Sequence, residues 1–312
     1  MPNKTLSAIM GLCVGDALGV PVEFKSRYQL KRDPVVDMRS YGTYNQPAGT
    51  WSDDTSMTLC TLDSLSNGLD YKDIMDKFLS WYKKGEYTPF GETFDIGMGT
   101  RRALTNYANG EEPLKSGGTG ERDNGNGSLM RILPLFFYLQ KTYGENFNEK
   151  EKPYEIIHNI SALTHRHKRS MIACGIYITI ADYISRDYNL NEAVKLGINK
   201  SFQYYEKKEE FKEELKYYQR LNDKNFHKLP EEEIKSSGYV VVSLEAALWS
   251  LVNTVSYKGC VLKAVNLGED TDTVAAIAGG LAGLYYGCED IPKEWLDKIQ
   301  RRKYVEELCK NL

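Results

Sequence analysis

Two clusters of carboxylates and hydroxyls lie more than two hundred residues apart in this chain of 312 residues: SDDT at 52–55 and GEDTDT at 268–273. Each cluster leads directly into an apolar run with helical spacing. A helix N-terminus stabilises one carboxylate by only about 0.3–1 kcal/mol, whereas neighbouring aspartates repel one another. If the fold brings the clusters together, we expect an oxygen-lined site for hard divalent metals.

Each cluster also has a simpler interpretation. Asp53 and Asp54 could cap a helix, although one aspartate is enough for a cap. Asp270 and Asp272 are two positions apart, so within a helix they would point to nearly opposite sides. They can converge only in a turn that precedes the helix, and the apolar series starting at Val274 fits that arrangement. Without histidine or cysteine, such clusters favour Mg²⁺, Mn²⁺ or Ca²⁺ over zinc or copper.

A glycine-rich stretch lies between the clusters, with GGTG at 117–120 and GNGSLMR at 125–131. Glycines let the backbone approach an anion, and free N–H groups at a helix start suit phosphate. A flexible surface loop is the alternative. The stretch matches neither a P-loop nor a dinucleotide-binding fingerprint, so a phosphate site here would be of another kind.

Three single residues have ordinary explanations when taken alone. His165, in THRH at 164–167, could be a structural hydrogen bonder at a helix end. Asp95, in FDIG at 94–97, could be a helix cap. Glu23 follows GDALGVPV at 15–22, just beyond the first predicted helix, where a carboxylate is free to move.

Helical periodicity dominates the chain, and continuous alternation typical of strands is nearly absent. Val240–Val242 or Val35–Val36 could be short strands, but closely spaced helices favour an all-α bundle. Segment 206–235 is charge-dense and is predicted to be either a docking insertion or a solvated amphipathic helix with a linker. The helices are predicted at roughly 6–18, 52–67, 72–84, 93–109, 129–141, 154–163, 169–185, 190–205, 241–255, 257–266 and 271–286.

Composition limits the partners. A net charge of -3 and a pI near 5.9 give no general attraction to polyanions, so we expect neither nucleic acid nor acidic membrane as a partner. The six cysteines form no CxxC pair and no secretory signal precedes them, which indicates reduced thiols in a cytoplasmic protein. Apolar stretches such as Val274–Tyr286 are too short to span about 30 Å of hydrocarbon. We therefore expect a soluble protein.

Taken together, these motifs resemble the ADP-ribosylglycohydrolase family. The similarity covers most of the chain in a single order, and the combination is far more specific than any one motif. It rests on GDALGVPVE at 15–23, WSDDTSM at 51–57, FDIGMGTRRAL at 94–104, GNGSLMR at 125–131, THRH at 164–167 and GEDTDTVAAIAGGLAGLYYG at 268–287.

The resemblance implies a compact single-domain orthogonal helical bundle, 1–312, with a binuclear Mg²⁺ or Mn²⁺ centre in a cleft. Glu23 and Asp95 match the family's catalytic carboxylates, and His165 matches a contact to ADP-ribose. The loop that would hold the diphosphate comprises Gly125, Asn126, Gly127 and Ser128. The metal ligands implied by matching position are Ser52, Asp53, Asp54, Asp270, Asp272 and Thr273.

The implied activity is metal-dependent hydrolysis of the bond between ADP-ribose and a protein side chain, with arginine as the first choice. Asp95 or Glu23 would serve as the acid or base. Alternatives are another linkage (serine, O-acetyl-ADP-ribose or a nucleobase), cleavage of the diphosphate, or a non-catalytic, crystallin-like relative. The expected partner is an ADP-ribosylated protein or a small ADP-ribose conjugate, and the expected state is a monomer. Many relatives have Gly or Asp where this chain has Glu269.

Overall fold

The computed structural model describes residues 3–186 and 188–312, which form helices and connecting loops with isolated β-bridges but no β-strand. The all-α class is therefore confirmed, and the helices pack into a single compact domain. The helices are α1 (Lys4–Gly19), α2 (Arg27–Arg32), α3 (Asp53–Ser66), α4 (Tyr71–Lys84), α5 (Met98–Ala108), α6 (Pro134–Tyr143), α7 (Glu151–Ala162), α8 (Lys168–Ile184), α9 (Leu190–Tyr205), α10 (Glu209–Leu215), α11 (Val240–Val252), α12 (Tyr257–Val265), α13 (Thr271–Tyr286), α14 (Lys293–Lys298) and α15 (Arg302–Leu308).

Most helices lie where periodicity predicts them, but two begin later. α5 starts at Met98 because Asp95 has a left-handed backbone, φ 51°, which a right-handed helix cannot contain. α6 starts at Pro134, which is well suited to a first helical position, and the residues from Leu129 before it form turns. The alternative of short strands was wrong, since Val240 opens α11 and Val35 lies in a loop.

The centre of the fold is a close contact between α1 and α13. Gly11, Gly15 and Gly19 recur every four residues and therefore share one face of α1. A Cβ atom on Gly15 would lie 2.2 Å from the Ala275 carbonyl oxygen, and one on Gly19 would lie 2.2 Å from the Asp272 Cα. Only glycine permits this approach, which fixes the start of α13 against the end of α1.

This packing also accounts for the long apolar stretch near the start of the sequence. The Lys4–Val22 segment is long and apolar enough to cross a membrane by length and composition alone. However, every residue from Ser7 to Gly19 is buried against the rest of the domain. The segment is the core helix of the bundle.

The charge-dense segment 206–235 forms α10 and three short 3₁₀ turns at Lys216–Asn222, Phe226–Lys228 and Glu231–Glu233. Its predicted apolar face, Phe211, Leu215, Tyr218 and Leu221, is buried. α10 packs on α8 and α9, and many of its glutamates and lysines lie at the surface. The segment thus forms part of the domain's outer layer.

Candidate functional site

The start of α3 is capped without using its own aspartates. Ser52 is the N-cap, and its Oγ accepts from the Asp54 N–H at 3.2 Å. Asp16, buried in α1, accepts from the Ser52 and Thr55 N–H groups at 3.0 Å each and from the Thr55 hydroxyl at 2.6 Å. Because these two residues satisfy the helix end, the Asp53 and Asp54 carboxylates are not needed as caps.

The two acid clusters meet at the ends of α1, α3 and α13. The Thr273 hydroxyl donates to Asp54 Oδ2 at 3.2 Å, which joins residues more than two hundred positions apart. Carboxylate oxygens of Asp16, Asp54 and Asp272 lie within 4.8 Å of one another, as do those of Glu23, Asp95 and Asp272. Asp272 therefore belongs to two adjacent carboxylate groups.

Three oxygens in these groups are buried without a hydrogen-bond partner: Glu23 Oε2, Asp54 Oδ1 and Asp272 Oδ2. Burial and neighbouring carboxylates raise the pKa values of Asp54 and Asp272 well above their usual range. Burial and neighbouring carboxylates also raise the pKa of Asp53 well above its usual range. Uncompensated buried carboxylates are strongly unfavourable, and divalent cations satisfy them with several oxygen ligands each. The donor set therefore fits hard divalent metal ions.

Glu23 and Asp95 lie on the outer side of this centre. Glu23 is 6% exposed and follows the Val20–Val22 turn that ends α1. Burial and the nearby Asp95 carboxylate raise the pKa of Glu23 to about 9. Burial and the neighbouring Glu23 and Asp95 carboxylates raise the pKa of the Tyr44 hydroxyl above its usual value. The two predicted catalytic residues are thus neighbours at the edge of the acid centre.

Backbone strain is concentrated around these carboxylates. Non-glycine residues rarely adopt positive φ, and such conformations cluster at functional sites. Asp95 precedes α5, and Glu269 lies in the second acid cluster. Five residues around the cleft have φ between 51° and 66°: Phe24, Tyr41, Asn45, Asp95 and Glu269.

The glycine loop holds its own polar side chains. The Asn126 amide donates to Asp270 Oδ2 at 2.8 Å and to the Ser243 hydroxyl at 3.0 Å. Ser128 is fully buried, and its hydroxyl accepts from Ser161 at 2.9 Å. In this conformation the Asn126 and Ser128 side chains stabilise the loop through hydrogen bonds, and the bond from Asn126 connects the loop to Asp270 in the second acid cluster. Their predicted direct contacts with a ligand stay predictions.

The glycines of this loop make room for His165. A Cβ atom on Gly127 would lie 2.8 Å from His165 Cε1, and one on Gly125 would lie 3.3 Å from Nε2. Across the ring, a Cβ atom on Gly99 in α5 would lie 3.1 Å from Nε2. Sequence reasoning attributed Gly125 and Gly127 to the approach of an anion, and close packing against the imidazole is a second reason for glycine, strongest at Gly127.

A buried relay fixes the orientation and the tautomer of His165. The Arg131 guanidinium donates to the Thr164 hydroxyl at 2.8 Å and to the Ile160 carbonyl at 3.1 Å. Thr164 Oγ1 lies 2.9 Å from His165 Nδ1, and we assign the hydroxyl as the donor of this bond because it already accepts from Arg131. Burial and the Arg131 charge lower the pKa of His165 to about 3. We assign a neutral ring whose proton is on Nε2, beside the glycine loop.

The structure thus brings together all the residues that sequence reasoning selected for the metal centre and its edge. It adds three that were not selected: Asp16, Tyr44 and Arg131. Asp16 could have been noticed as a single carboxylate inside an otherwise apolar helix. Arg131 lies in a quoted motif, but its burial and its bond to Thr164 were not predicted. Nothing in the local sequence around Tyr44 indicates its position beside Glu23.

Comparisons with known proteins agree with this site. A model of the ADP-ribosylglycohydrolase family matches residues 2–312. An ADP-ribosylarginine hydrolase of Serratia proteamaculans is 33% identical, in an alignment that covers 99% of this chain and 79% of that protein. The ADP-ribosyl-[dinitrogen reductase] glycohydrolase of Rhodospirillum rubrum is 29% identical, with coverage of 96% and 91%.

A solved structure described as an ADP-ribosylglycohydrolase-related protein complex superposes with a TM-score of 0.79. It is 30% identical to this chain, and the match covers 99% of this chain and 96% of that one. Family, relatives and fold therefore agree over essentially the whole sequence. The chain belongs to the ADP-ribosylglycohydrolase family and is an ADP-ribosylglycohydrolase enzyme.

Proposed function

We propose that this enzyme removes ADP-ribose from arginine side chains of modified proteins and that it works with two divalent cations, Mg²⁺ or Mn²⁺. The names of the relatives from Serratia proteamaculans and Rhodospirillum rubrum support hydrolysis of protein-linked ADP-ribose, and the first of them supports arginine. The observation that carries the metal requirement is the position of Asp272, which two carboxylate groups share and which has a buried oxygen without a partner.

The ions would be held by the acid clusters, from Ser52, Asp53 and Asp54 on one side and Asp270, Asp272 and Thr273 on the other. When bound, such ions supply Lewis-acid chemistry and orient the ribose hydroxyls and water. Asp16 would keep its structural role, because its carboxylate oxygens already accept hydrogen bonds from Ser52 and Thr55 at the start of α3. Asn126 holds Asp270 in place from the glycine loop.

Glu23 and Asp95 would transfer the protons. In the reaction the bond between the anomeric carbon and the arginine nitrogen breaks, and a water oxygen bonds to that carbon. One proton leaves the water and one reaches the departing nitrogen, so two neighbouring carboxylates suffice as base and acid. The oxocarbenium-like transition state carries positive charge, which the surrounding carboxylates stabilise.

His165 and the glycine loop would bind the ADP-ribose portion. The relay from Arg131 through Thr164 leaves the Nε2–H of the imidazole as a donor. A neutral donor can bind a phosphate or hydroxyl oxygen without a change of protonation during turnover. This assignment extends the predicted substrate-binding set, Gly125, Asn126, Gly127, Ser128 and His165.

The test is to compare substrates with the metal-loaded enzyme. Peptides that carry arginine-linked or serine-linked ADP-ribose, and O-acetyl-ADP-ribose, are incubated at equal concentration and the products are separated by chromatography. We expect the fastest release of intact ADP-ribose from arginine. A higher rate on serine or acetyl substrates would overturn the arginine assignment, and AMP as the product would point to cleavage of the diphosphate.

Other expectations follow from composition and stay predictions. The net charge of -3 gives no attraction to nucleic acid. The burial of α1 accords with a soluble domain. A monomer in the cytoplasm is what we expect of this enzyme.

A further inference from the structure

Three aromatic rings form a continuous group beside Glu23 and Asp95, at the edge of the acid centre. The Phe24 and Tyr44 ring centroids are 6.4 Å apart, and those of Tyr44 and Phe94 are 5.1 Å apart. Phe24 and Phe94 directly adjoin Glu23 and Asp95 in the chain. We name Phe24, Tyr44 and Phe94 the aromatic group. Its rings lie beside the two carboxylates that face outwards from the centre.

Phe24 has an unfavourable backbone conformation, which contacts with the second acid cluster stabilise. Its φ is 65° and its side chain is 69% exposed, so it contributes little to the core. Two backbone hydrogen bonds hold this segment to the second acid cluster, from Phe24 N–H to Glu269 O at 2.7 Å and from Glu269 N–H to Lys25 O at 2.8 Å. A strained and exposed aromatic residue that is held so firmly suggests a role in binding.

Tyr44 is held in the same unit as Glu23. Gly42 has φ 67°, and a Cβ atom there would lie 1.9 Å from the Pro21 carbonyl oxygen, so only glycine lets the turn Gly42–Tyr44 pack on Val20–Val22. The Thr43 hydroxyl donates to the Glu23 carbonyl at 2.8 Å. The aromatic group is therefore attached to the segment that carries the outer carboxylate.

Aromatic faces beside carboxylates are suited to a planar cation. A guanidinium group stacks on aromatic rings and donates charge-assisted hydrogen bonds to carboxylates at the same time. The diphosphate of ADP-ribose is poorly suited to this place, because Glu23 and Asp95 would repel it. A serine or acetyl leaving group offers neither positive charge nor a flat face.

We propose that the aromatic group is the binding site for the arginine side chain of the substrate, with Glu23 and Asp95 as its polar partners. This inference rests on the proposed function and names the residues that select arginine. The aromatic group binds the arginine side chain that leaves in the reaction, while the acid centre and the glycine loop bind the ADP-ribose.

The variants for the test are Phe24→Leu, Phe94→Leu and the double change. Leucine keeps the apolar character and removes the aromatic face. Phe90→Leu is the matched control, since Phe90 is 54% exposed on the loop before Phe94 and lies outside the aromatic group. Phe94→Tyr keeps a ring and serves as the conservative variant. Melting temperatures of all variants establish that they are folded.

Three quantities are measured with Mg²⁺ present: kinetics on ADP-ribosylarginine, the Kd of free ADP-ribose by calorimetry, and inhibition by agmatine, a small guanidinium compound. We expect the double variant to raise the KM for ADP-ribosylarginine and the inhibition constant of agmatine about threefold to thirtyfold, the range of a cation–π contact. The Kd of ADP-ribose should stay within about twofold. Phe90→Leu should resemble the wild type, and Phe94→Tyr, which keeps a ring, should change the KM and the agmatine inhibition constant less than Phe94→Leu does.

Two outcomes would overturn the inference while the proposed function stands. An unchanged KM and unchanged agmatine inhibition would mean that the rings do not bind the arginine. A parallel loss of ADP-ribose affinity would mean that they bind the adenosine instead. Wild-type enzyme without turnover of ADP-ribosylarginine would instead refute the proposed function, and this inference with it.

Discussion

The acid centre and the glycine loop adjoin one another, yet they differ in how far their polar groups are satisfied. The acid centre leaves Glu23, Asp54 and Asp272 with buried oxygens that have no partner. In the glycine loop, Asn126 and Ser128 are bonded to the protein and the His165 ring fills the space beside the glycines. The donor set of one region fits a cation, whereas the polar groups of the other are already bonded within the protein.

Removing the metal should have the largest effect, because it leaves the repulsion in the acid centre uncompensated. We expect EDTA to abolish ADP-ribose release and Mn²⁺ or Mg²⁺ to restore it. At about 100 times its Kd a cation contributes about 2.7 kcal/mol, which for a chain of 312 residues corresponds to a rise in Tm of roughly 4 °C. Calorimetric scans with and without metal measure this directly. Full turnover after rigorous chelation would contradict the proposed mechanism.

The rise in Tm should depend on pH. Glu23 has a pKa of about 9 in the metal-free fold, above its ordinary value of 4.5. Its contribution to stability is therefore fully present below pH 4.5 and is lost as the pH rises through about 9. Because protons and cations compete for the same oxygens, the metal-induced rise should be larger at pH 8 than at pH 6. Equal rises at both pH values would argue against binding at these carboxylates.

Replacing Asp272 should have the next largest effect on activity, because this residue belongs to both carboxylate groups. We expect Asp272→Asn to lower kcat/KM by more than about 100-fold, because even residues that only support metal ligands are worth 10- to 100-fold. Removal of one repelling charge should leave the metal-free Tm equal to or above that of the wild type. The rise in Tm on adding Mn²⁺ should shrink.

Asp76→Asn is the control for this change, because Asp76 lies at the surface of α4 and pairs with Lys72. It should keep both the activity and the response to metal. A Mn²⁺-induced rise in Asp272→Asn as large as that of the wild type would remove Asp272 from the metal centre.

A smaller effect is expected in the region of the glycine loop. Thr164→Val removes the hydroxyl between Arg131 and His165, so the imidazole is free to change tautomer. We expect an approximately tenfold weaker Kd for ADP-ribose and a loss of about 1–3 kcal/mol in the free energy of unfolding. Thr164→Ser should restore both. Nitrogen-15 NMR of the His165 ring reports the tautomer itself, and an unchanged spectrum in Thr164→Val would refute the relay.

The smallest effect is expected at Glu269, whose backbone is hydrogen-bonded to Phe24 and Lys25. Its side chain is exposed and its φ is 63°, so glycine can adopt the same conformation without strain. Glu269→Gly should keep kcat/KM within about twofold and should not lower the Tm. A large loss of activity would give the Glu269 carboxylate a role that its position does not indicate.

Much of this site could be predicted from the sequence, because its residue types are unusual in their places. Paired aspartates before apolar helices have few structural uses, so the acid clusters were visible. Their convergence could not be derived from spacing. It depends on the glycines of α1, which let α13 approach backbone to backbone.

Other features could not be predicted, because they depend on tertiary contacts between residues that are distant in the chain. Asp16 caps a helix that lies 36 positions further along the chain, and such a contact leaves no local pattern. The glycines at 125 and 127 were predicted to hold a phosphate, which stays a prediction, and their close packing against the His165 ring could not be seen from the local sequence. The late start of α5 follows from the strained Asp95, whereas periodicity alone extended that helix to Thr93.

The contact between α1 and α13 also determines when the enzyme can exist during its synthesis. α1 is synthesised well before α13, so its glycine face has no partner until Thr271–Tyr286 has been made. Closing a loop of that length is entropically unfavourable and is repaid only by the finished interface. A chain that stops before α13 therefore lacks both the central helix contact and half of the acid centre, so the fold and the candidate site are completed by the same segment.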